Sequence, residues 1–266
     1  MTGLVFACVA LALLPLLAVL FYVIVQGVSR LNPSLFTQLP PPPLVPGGGI
    51  GNAILGTLIM VGIGALISIP FGVMAAIYLS EFSSGKVAEW TRFATNVLSG
   101  VPSIIVGVFA YGVIVLTMRR YSAFAGGFAL AILMLPIIVR TTDEALKLVP
   151  GELRQGAVGL GATNFQTITR VVLPAALPAI ITGATLAIAR AAGETAPLLF
   201  TALFLQYWRV DPVEGPMASL AVLVYNFATS PFKNQQELAW AASFILVLLV
   251  LITSMLARLA TARRTY

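Results

Sequence analysis

Long apolar runs separated by short polar or Pro/Gly-rich segments dominate the chain. Each run contains at least about 20 residues, the number that a helix needs to cross a hydrocarbon core about 30 Å thick. The pattern predicts an all-α integral membrane protein with six transmembrane helices. We place them near residues 3–28, 54–80, 96–118, 122–148, 174–205 and 238–260.

The first run resembles a signal peptide only superficially. It extends well past the roughly 7 to 15 residues of a signal-peptide core, and no basic residue precedes it. We therefore expect it to be a true membrane helix.

Composition agrees with a membrane protein and excludes several kinds of site. The chain is 59% hydrophobic and only 9% charged, which lies outside the range of soluble domains. It has one cysteine and no histidine, so disulfide frameworks, Cys/His zinc sites and histidine acid-base catalysis are excluded. The net charge of +6 comes from scattered basic residues rather than one arm or stripe, which argues against nucleic-acid binding.

The basic residues favour one orientation. With both termini in the cytoplasm, nine basic residues belong to the inner side and five to the outer side, and Arg190 lies within a span, which agrees with the positive-inside rule. The inner residues are Lys86, Arg92, Arg140, Lys147, Arg154, Arg170, Arg258, Arg263 and Arg264, and the outer ones are Arg30, Arg119, Arg120, Arg209 and Lys233.

Two parts of the chain differ in pattern. Residues 1–50 contain the first helix and a Pro/Gly-rich external loop, and residues 51–266 form a core of five helices with a polar loop at 150–174. The prolines and glycines of the external loop indicate a spacer. Because no Lys-Ser or Lys-Thr follows its glycines, a P-loop is absent, and any ATP must bind to another chain.

The polar loop has its own helical pattern. Pro150 should end the fourth span at Val149, and Gly161 is placed to stop a short helix that follows. Thr163 and Gln166 have the spacing of a capping box that starts a second helix. An ordinary connecting loop with interfacial helices has the same periodicity.

The spacing of this loop resembles the EAA coupling loop of ABC-importer permeases. Gln155-Gly156-Ala157 stands where the family has Glu-Ala-Ala, and Gly161 follows after three residues. Val171 replaces the family's Ile, and Leu173-Pro174 keeps its Leu-Pro. In that family the short helix docks into a cleft of the ATPase subunit. The resemblance implies these coupling residues: Leu153, Gln155, Gly156, Ala157, Leu160, Gly161, Leu173 and Pro174.

The fifth span combines small residues with a charged pair. Gly183, Ala187 and Ala191 form a stripe that lets another helix approach closely. Arg190 and Glu194 are four residues apart on one face, and a lone arginine deep in a bilayer costs at least about 2.5 to 3.5 kcal/mol. The pair is either a self-neutralised packing contact or part of a functional site.

The residue types point to oxyanion binding. The guanidinium of Arg190 matches phosphate or sulfate bidentately and stays protonated, and Glu194 would neutralise the empty site. Arg140 is a second candidate, although a boundary arginine that reaches the interface fits as well. Ser103 could add a hydroxyl or only start a helix. We also place the hydroxyl of Thr195, which directly follows Glu194, in the substrate path.

Further motifs resemble the phosphate-specific branch of the binding-protein-dependent importer permeases. They are Tyr78-Leu-Ser-Glu-Phe82, Val101-Pro-Ser-Ile-Ile-Val-Gly107, Leu135-Pro-Ile-Ile-Val-Arg-Thr-Thr142 and Ala189-Arg-Ala-Ala-Gly-Glu-Thr-Ala-Pro197. The resemblance implies a type I, MetI-like permease of the bacterial cytoplasmic membrane, with Arg140, Arg190 and Glu194 in the phosphate path. It also implies a heterodimer with a second, similar permease, two copies of an ATPase that binds ATP and Mg²⁺, and an external phosphate-binding protein.

Other functions stay open at this point. Sulfate or molybdate import is the closest alternative, because arginine residues alone do not distinguish tetrahedral oxyanions. A stand-alone secondary anion carrier would also use an arginine near midplane, but it would need no docking loop. We expect no enzymatic activity in this chain, since the spans lack histidine, metal-ligand clusters and paired carboxylates.

Overall fold

A computed structural model describes residues 2–83 and 85–262, and these residues form helices and loops with one isolated β-bridge between Ser122 and Gly215. The helices in chain order are α1 (Thr2–Val28), α2 (Pro33–Thr37), α3 (Gly51–Ile77), α4 (Lys86–Gly100), α5 (Ser103–Ala110), α6 (Leu116–Met118), α7 (Ala123–Lys147), α8 (Gly151–Gly159), α9 (Asn164–Thr167), α10 (Leu173–Ala192), α11 (Ala196–Thr201), α12 (Leu220–Ala228) and α13 (Lys233–Ala262). Short π-helical turns follow α3, α5 and α9, at Tyr78–Phe82, Tyr111–Val115 and Ile168–Val172.

Five continuous helical segments of the described chain are long and apolar enough to cross a membrane, and a bent pair makes a sixth. The continuous segments are Leu4–Val28, Gly51–Phe82, Ala123–Lys147, Asn164–Ala192 and Lys233–Leu259. The all-α fold with six spans is therefore confirmed. We call the end of the bundle that carries α8 the α8 end, and the opposite end the α2 end.

The third span differs from its prediction. A continuous helix at 96–118 is wrong, because the chain bends by 100° between Lys86–Gly100 and Ser103–Met118. Val101 has the extended dihedral angles φ −70° and ψ 129°, as expected for a residue that precedes a proline. Pro102 also has no N–H to continue the helical ladder.

The fifth span is also displaced from its prediction at 174–205. It begins at Asn164, where Thr163 and Gln166 form the predicted capping box, and it ends at Ala192, where Gly193 caps α10. A π turn at Ile168–Val172 allows the helix to continue, although Pro174 cannot donate a backbone hydrogen bond.

Helix α7 lies at the centre of the bundle. In its most apolar stretch 61% of the residues are buried, against 33% or fewer in the other long segments. It runs parallel to α3, with Gly64 beside Leu130 and Gly72 beside Ile138. The approach is close, since a Cβ added to Gly127 would lie 2.6 Å from the Cβ of Ile63.

Helix α10 packs on another side of α7 through the predicted small-residue stripe. Gly183, Ala187 and Ala191 are all buried. A Cβ added to Gly183 would lie 2.2 Å from Oγ1 of Thr141. The prediction that this stripe admits another helix is confirmed, and the helix it admits is α7.

The α2 end is held together by buried side chains and backbone bonds. Leu35 and Ile50 are almost fully buried in one cluster with Leu238, so the Pro/Gly-rich segment folds against α2 and the core. The amide of Asn52 donates to the carbonyl of Leu205 (2.8 Å). Thr57 Oγ1 accepts from the backbone N–H of Leu220 (2.8 Å), which ties α3 to α12.

The long segment between α11 and α12 also folds back on the bundle. Met217 N–H donates to the carbonyl of Ala202 (3.0 Å), and Phe124 N–H donates to that of Pro212 (2.8 Å). Asp211 accepts from the backbone N–H of Val213 (2.7 Å), and this bond is the main reason that the pKa of its carboxyl lies below the usual value.

Helix α1 stands apart from the core and packs on α13. A Cβ added to Gly27 would lie 2.4 Å from the Cβ of Phe244. The rings of Tyr22 and Trp240 meet edge to face with centroids 4.9 Å apart. Most other side chains of α1 are exposed, which leaves an apolar surface for lipid.

The α3–α7 contact predicts a difference between two glycine substitutions. Gly127→Ala should lower thermal stability, because overpacking of a close helix contact costs about 1 to 3 kcal/mol. Gly62→Ala is the matched control, since a Cβ there meets no atom within 4 Å. Melting of the purified protein in detergent, followed by tryptophan fluorescence, measures both. Equal melting temperatures for the two variants would contradict the packing assigned to Gly127.

Candidate functional site

A break in the helix follows α10, and the charged pair of the fifth span lies at this break. Arg190 is in the last turn of α10, and Glu194 follows the capping residue Gly193. Arg190 Nε lies 3.6 Å from Glu194 Oε1, so the two side chains form the expected ion pair. The carbonyl end of α10 adds a favourable partial negative charge for the guanidinium.

The two members of this pair differ in accessibility. The Arg190 side chain is 60% exposed, whereas that of Glu194 is 16% exposed. In this chain the guanidinium is therefore the accessible member of the pair, and the carboxylate is the more buried member.

Helix α5 lies beside the same break. A Cβ added to Gly107 would lie 2.6 Å from Cα of Pro197, so α5 contacts the start of α11. Ser103 is the first residue of α5 and lies one turn before Gly107 on the same face. Thr195 occupies the capping position of α11, but its side chain makes no capping hydrogen bond. Both predicted hydroxyl residues thus belong to the elements that meet at the break.

Arg140 lies on α7, at a different position along the bundle axis from Arg190. Its Nε donates to Glu144 Oε1 (3.1 Å), and both side chains are well exposed. The next residue, Thr141, contacts Gly183 of α10. Arg190 is seven residues beyond Gly183, which is about 10 Å along the helix axis. The structure places Arg140 and Arg190 on adjoining helices, with Arg190 further toward the α2 end.

A cleft of about 490 Å³ opens beside Arg140 at the α8 end. Arg92 of α4 lines it and donates from Nε and Nη2 to both oxygens of Asp143 (3.1 and 3.2 Å). Lys147 Nζ donates to the same carboxylate (2.5 Å), whose side chain is only 8% exposed. Two cations therefore hold one buried carboxylate in the wall of the cleft.

Sequence reasoning did not select Arg92, Asp143 or Lys147 as a group. The available signal was the position of Asp143 near the end of an apolar span, because a buried carboxylate requires a cationic partner. The partner itself lies 51 residues away in sequence, and local spacing does not reveal it.

The polar loop has the predicted helix, glycine corner and second helix. Helix α8 ends at Gly159, and Gly161 has φ +83°, a left-handed conformation that favours glycine. The backbone N–H of Gly161 donates to the carbonyl of Val158 (2.9 Å), and that of Ala162 donates to the carbonyl of Ala157 (3.0 Å). The corner thereby satisfies the last carbonyls of α8.

The loop exposes apolar side chains although it is polar overall. Leu160 is 92% exposed and Phe165 is 68% exposed. Leu153 and Val158 are exposed as well. Such a patch is typical of a surface that contacts another protein or the membrane. Sequence reasoning had not included Phe165 in it.

The other predicted coupling residues occupy different environments. Gln155 and Gly156 are exposed on α8, and Ala157 is half-buried. Leu173 packs against the buried cluster around Leu146 and Val172, so it supports the loop from inside, while Pro174 is exposed at the start of α10.

The family described as binding-protein-dependent transport system inner membrane component matches residues 68–266. The phosphate transport system permease protein PstA of Yersinia pestis is 43% identical over 94% of this chain and 85% of its own length. The PstA protein of Haemophilus influenzae is also 43% identical, over 97% of this chain and 92% of its own length.

Among solved structures, an inward-facing conformation of the MetNI methionine ABC transporter matches with a TM-score of 0.68 and 20% identity. The match covers 80% of this chain and 95% of the other chain, and it supports the MetI-like fold. The family match and the two relatives extend over most of this chain. The chain therefore belongs to the binding-protein-dependent transport system inner membrane components, in the branch of the PstA phosphate transport permeases.

Proposed function

We propose that this chain is the permease subunit of an ATP-driven importer that moves inorganic phosphate across the bacterial cytoplasmic membrane. The observation that carries the proposal is the accessible Arg190 at the helix break that ends the fifth span, paired with the less exposed Glu194. The 43% identity to two phosphate transport permeases over nearly the whole chain supports phosphate as the substrate.

Binding would be electrostatic, without covalent chemistry in this chain. A guanidinium binds two oxygens of a tetrahedral oxyanion through parallel N–H donors. In the empty state Glu194 neutralises Arg190, and the arriving phosphate takes over that role. Ser103 and Thr195 would supply hydroxyl donors from the neighbouring elements.

Arg140 would act later in the path. It lies about 10 Å from the level of Arg190 along the helix axis, toward the α8 end and beside the cleft. Its partner Glu144 is as exposed as Arg140 itself. A phosphate that leaves Arg190 toward the α8 end would therefore meet a second arginine whose counter-ion can move away.

The α8 end would face the cytoplasm, with both termini on that side. Lys86, Arg154 and Arg170 support this orientation through the positive-inside rule. Arg263 and Arg264, which also entered the charge count, lie outside the described residues.

Partner chains would complete the importer. Two copies of an ATPase subunit would bind ATP and Mg²⁺, and one of them would cover the exposed Leu160 and Phe165 of the polar loop. A second, similar permease would complete the path, an external binding protein would deliver phosphate, and lipid would surround the apolar faces. ATP-driven closure of the ATPase pair would move α8 and expose Arg190 to one side of the membrane at a time.

Competition tests the substrate directly. The complete importer in proteoliposomes should take up labelled phosphate, and excess unlabelled phosphate should block this uptake. Sulfate and molybdate at the same concentration should have little effect. Stronger competition by sulfate or molybdate would contradict phosphate as the substrate, and ATP-independent uptake by this chain alone would contradict the importer.

Removal of the Arg190 charge should abolish uptake. Loss of a charge-assisted hydrogen bond costs about 1.5 to 3 kcal/mol for each bond, so Arg190→Gln should lower phosphate uptake by more than about tenfold. Arg190→Lys keeps the charge but loses the planar guanidinium with its parallel N–H donors. Its phosphate uptake should lie between that of the wild type and that of Arg190→Gln. Co-purification with the ATPase controls for assembly. Normal uptake by Arg190→Gln would remove this residue from the path.

The glycine corner should be required for coupling. Gly161→Pro cannot adopt φ +83° and loses the N–H that donates to Val158, so less phosphate should be moved for each ATP hydrolysed. Gly159→Ala is the matched control, because Gly159 is helical and a Cβ there meets no atom within 4 Å. The ratio of uptake to ATP hydrolysis measures the effect, and a wild-type ratio in Gly161→Pro would contradict it.

A further inference from the structure

The π turn after α3 (Tyr78–Phe82) accepts contacts from two distant arginines. In this turn Ser83 N–H donates to the carbonyl of Tyr78, five residues earlier (2.8 Å), so the regular ladder of α3 is interrupted. The carbonyl of Leu79 accepts a hydrogen bond from Arg92 Nη2 (3.1 Å). The carboxylate of Glu81 accepts from Arg154 Nη1. Turns of this kind occur often at functional sites.

Each arginine also bonds to the end of α7. Arg92 of α4 holds the carboxylate of Asp143 bidentately. Arg154 of α8 donates from Nη2 to the carbonyl of Leu146 (2.8 Å). The two arginines therefore join the same pair of elements, the π turn and the α7 end, and each brings one further helix to that junction.

Arg154 differs from Arg92 because its helix is the exposed short helix α8. At the Gly161 corner α8 continues into the helix that carries Arg190. Through Arg154 it is also bonded to α3 and α7, and α7 carries Arg140. A displacement of α8 thus reaches both candidate anion-binding helices, one through the chain and the other through a side chain.

The burial of Glu81 makes this connection stiff. Its side chain is 8% exposed, and that of Arg154 is 28% exposed. Within the part of the chain that the structure describes, the other carboxylate oxygen of Glu81 has one contact, a long one with Ser80 Oγ (3.4 Å). A buried carboxylate without its cation is strongly unfavourable, so Glu81 should follow Arg154 when α8 moves.

We propose that Arg154 and Glu81 are a positioning pair that transmits movement of α8 to α3 and α7, with the π turn as the junction. Neither residue touches the substrate in this role. The proposal rests on the proposed function, because it assumes that an ATPase subunit moves α8. Without the pair, α8 would still move α10 through the chain, but it would lose its direct connection to α3 and α7.

The test uses the complete importer in proteoliposomes, with phosphate uptake and ATP hydrolysis measured in the same preparation. Arg154→Gln and Glu81→Gln should each lower the phosphate moved per ATP by about tenfold, within the usual range of coupling between sites, while hydrolysis continues. The exchange Arg154→Glu with Glu81→Arg should restore part of the ratio. Arg30→Gln is the matched control, since it breaks an ion pair with Glu237 (2.7 Å) at the α2 end and should leave the ratio unchanged.

Two outcomes would overturn the proposal. An unchanged ratio in both single variants would show that the pair does not transmit movement, and a proportional fall of uptake and hydrolysis would assign Arg154 to ATPase docking instead. If Arg154→Gln does not assemble, Arg154→Lys should lower the ratio of phosphate moved per ATP in the same way. The two terminal nitrogens of the guanidinium donate to Glu81 and to the carbonyl of Leu146, and a single ammonium group cannot reproduce both contacts. Failure of the wild-type importer to move phosphate would contradict the proposed function alone, since the ratio can be measured with whichever anion it transports.

Discussion

The close contact of α7 with α3 and α10 is the constraint on which the other elements depend. Inside a membrane, apolar side chains gain little by leaving lipid for another helix, so close packing through small residues must hold the helices together. Gly127 lets α3 approach on one side of α7, and Gly183 lets α10 approach on the other. These two contacts set the positions of Arg140 and Arg190, and they bring the α8 ends of α3 and α7 side by side.

Charge pairing is the second organising principle, and it takes two forms. Arg140 has its partner on its own helix, Arg190 has its partner just past the end of its helix, and both arginines remain accessible. Asp143 and Glu81 are instead buried carboxylates held by arginines from other elements. A pair with an accessible arginine can exchange its counter-ion for a ligand, whereas a buried carboxylate with several donors is suited to holding helices together.

Proline and glycine explain both the successes and the errors in helix placement. The corner at Gly161 and the capping box at Thr163 were predictable, because each is set by residues within one turn. The third span was predicted as continuous, although Pro102 bends the chain there. The fifth span was predicted to run past Gly193, because its apolar composition continues beyond the break. Composition shows whether a segment favours lipid. It does not show where the backbone hydrogen bonds of a helix are interrupted.

The sequence by itself determined the all-α membrane class, the six spans, the helix and corner of the polar loop and the Arg190–Glu194 pair. These features depend on hydrophobicity and on spacings of four residues or fewer, which physical rules convert directly into structure. Only the tertiary structure decided that Arg92 meets Asp143 and that Arg154 meets Glu81, partners separated by 51 and 73 residues. Charge and spacing cannot choose among such distant partners, because helix packing alone determines which buried carboxylate lies within reach of which arginine.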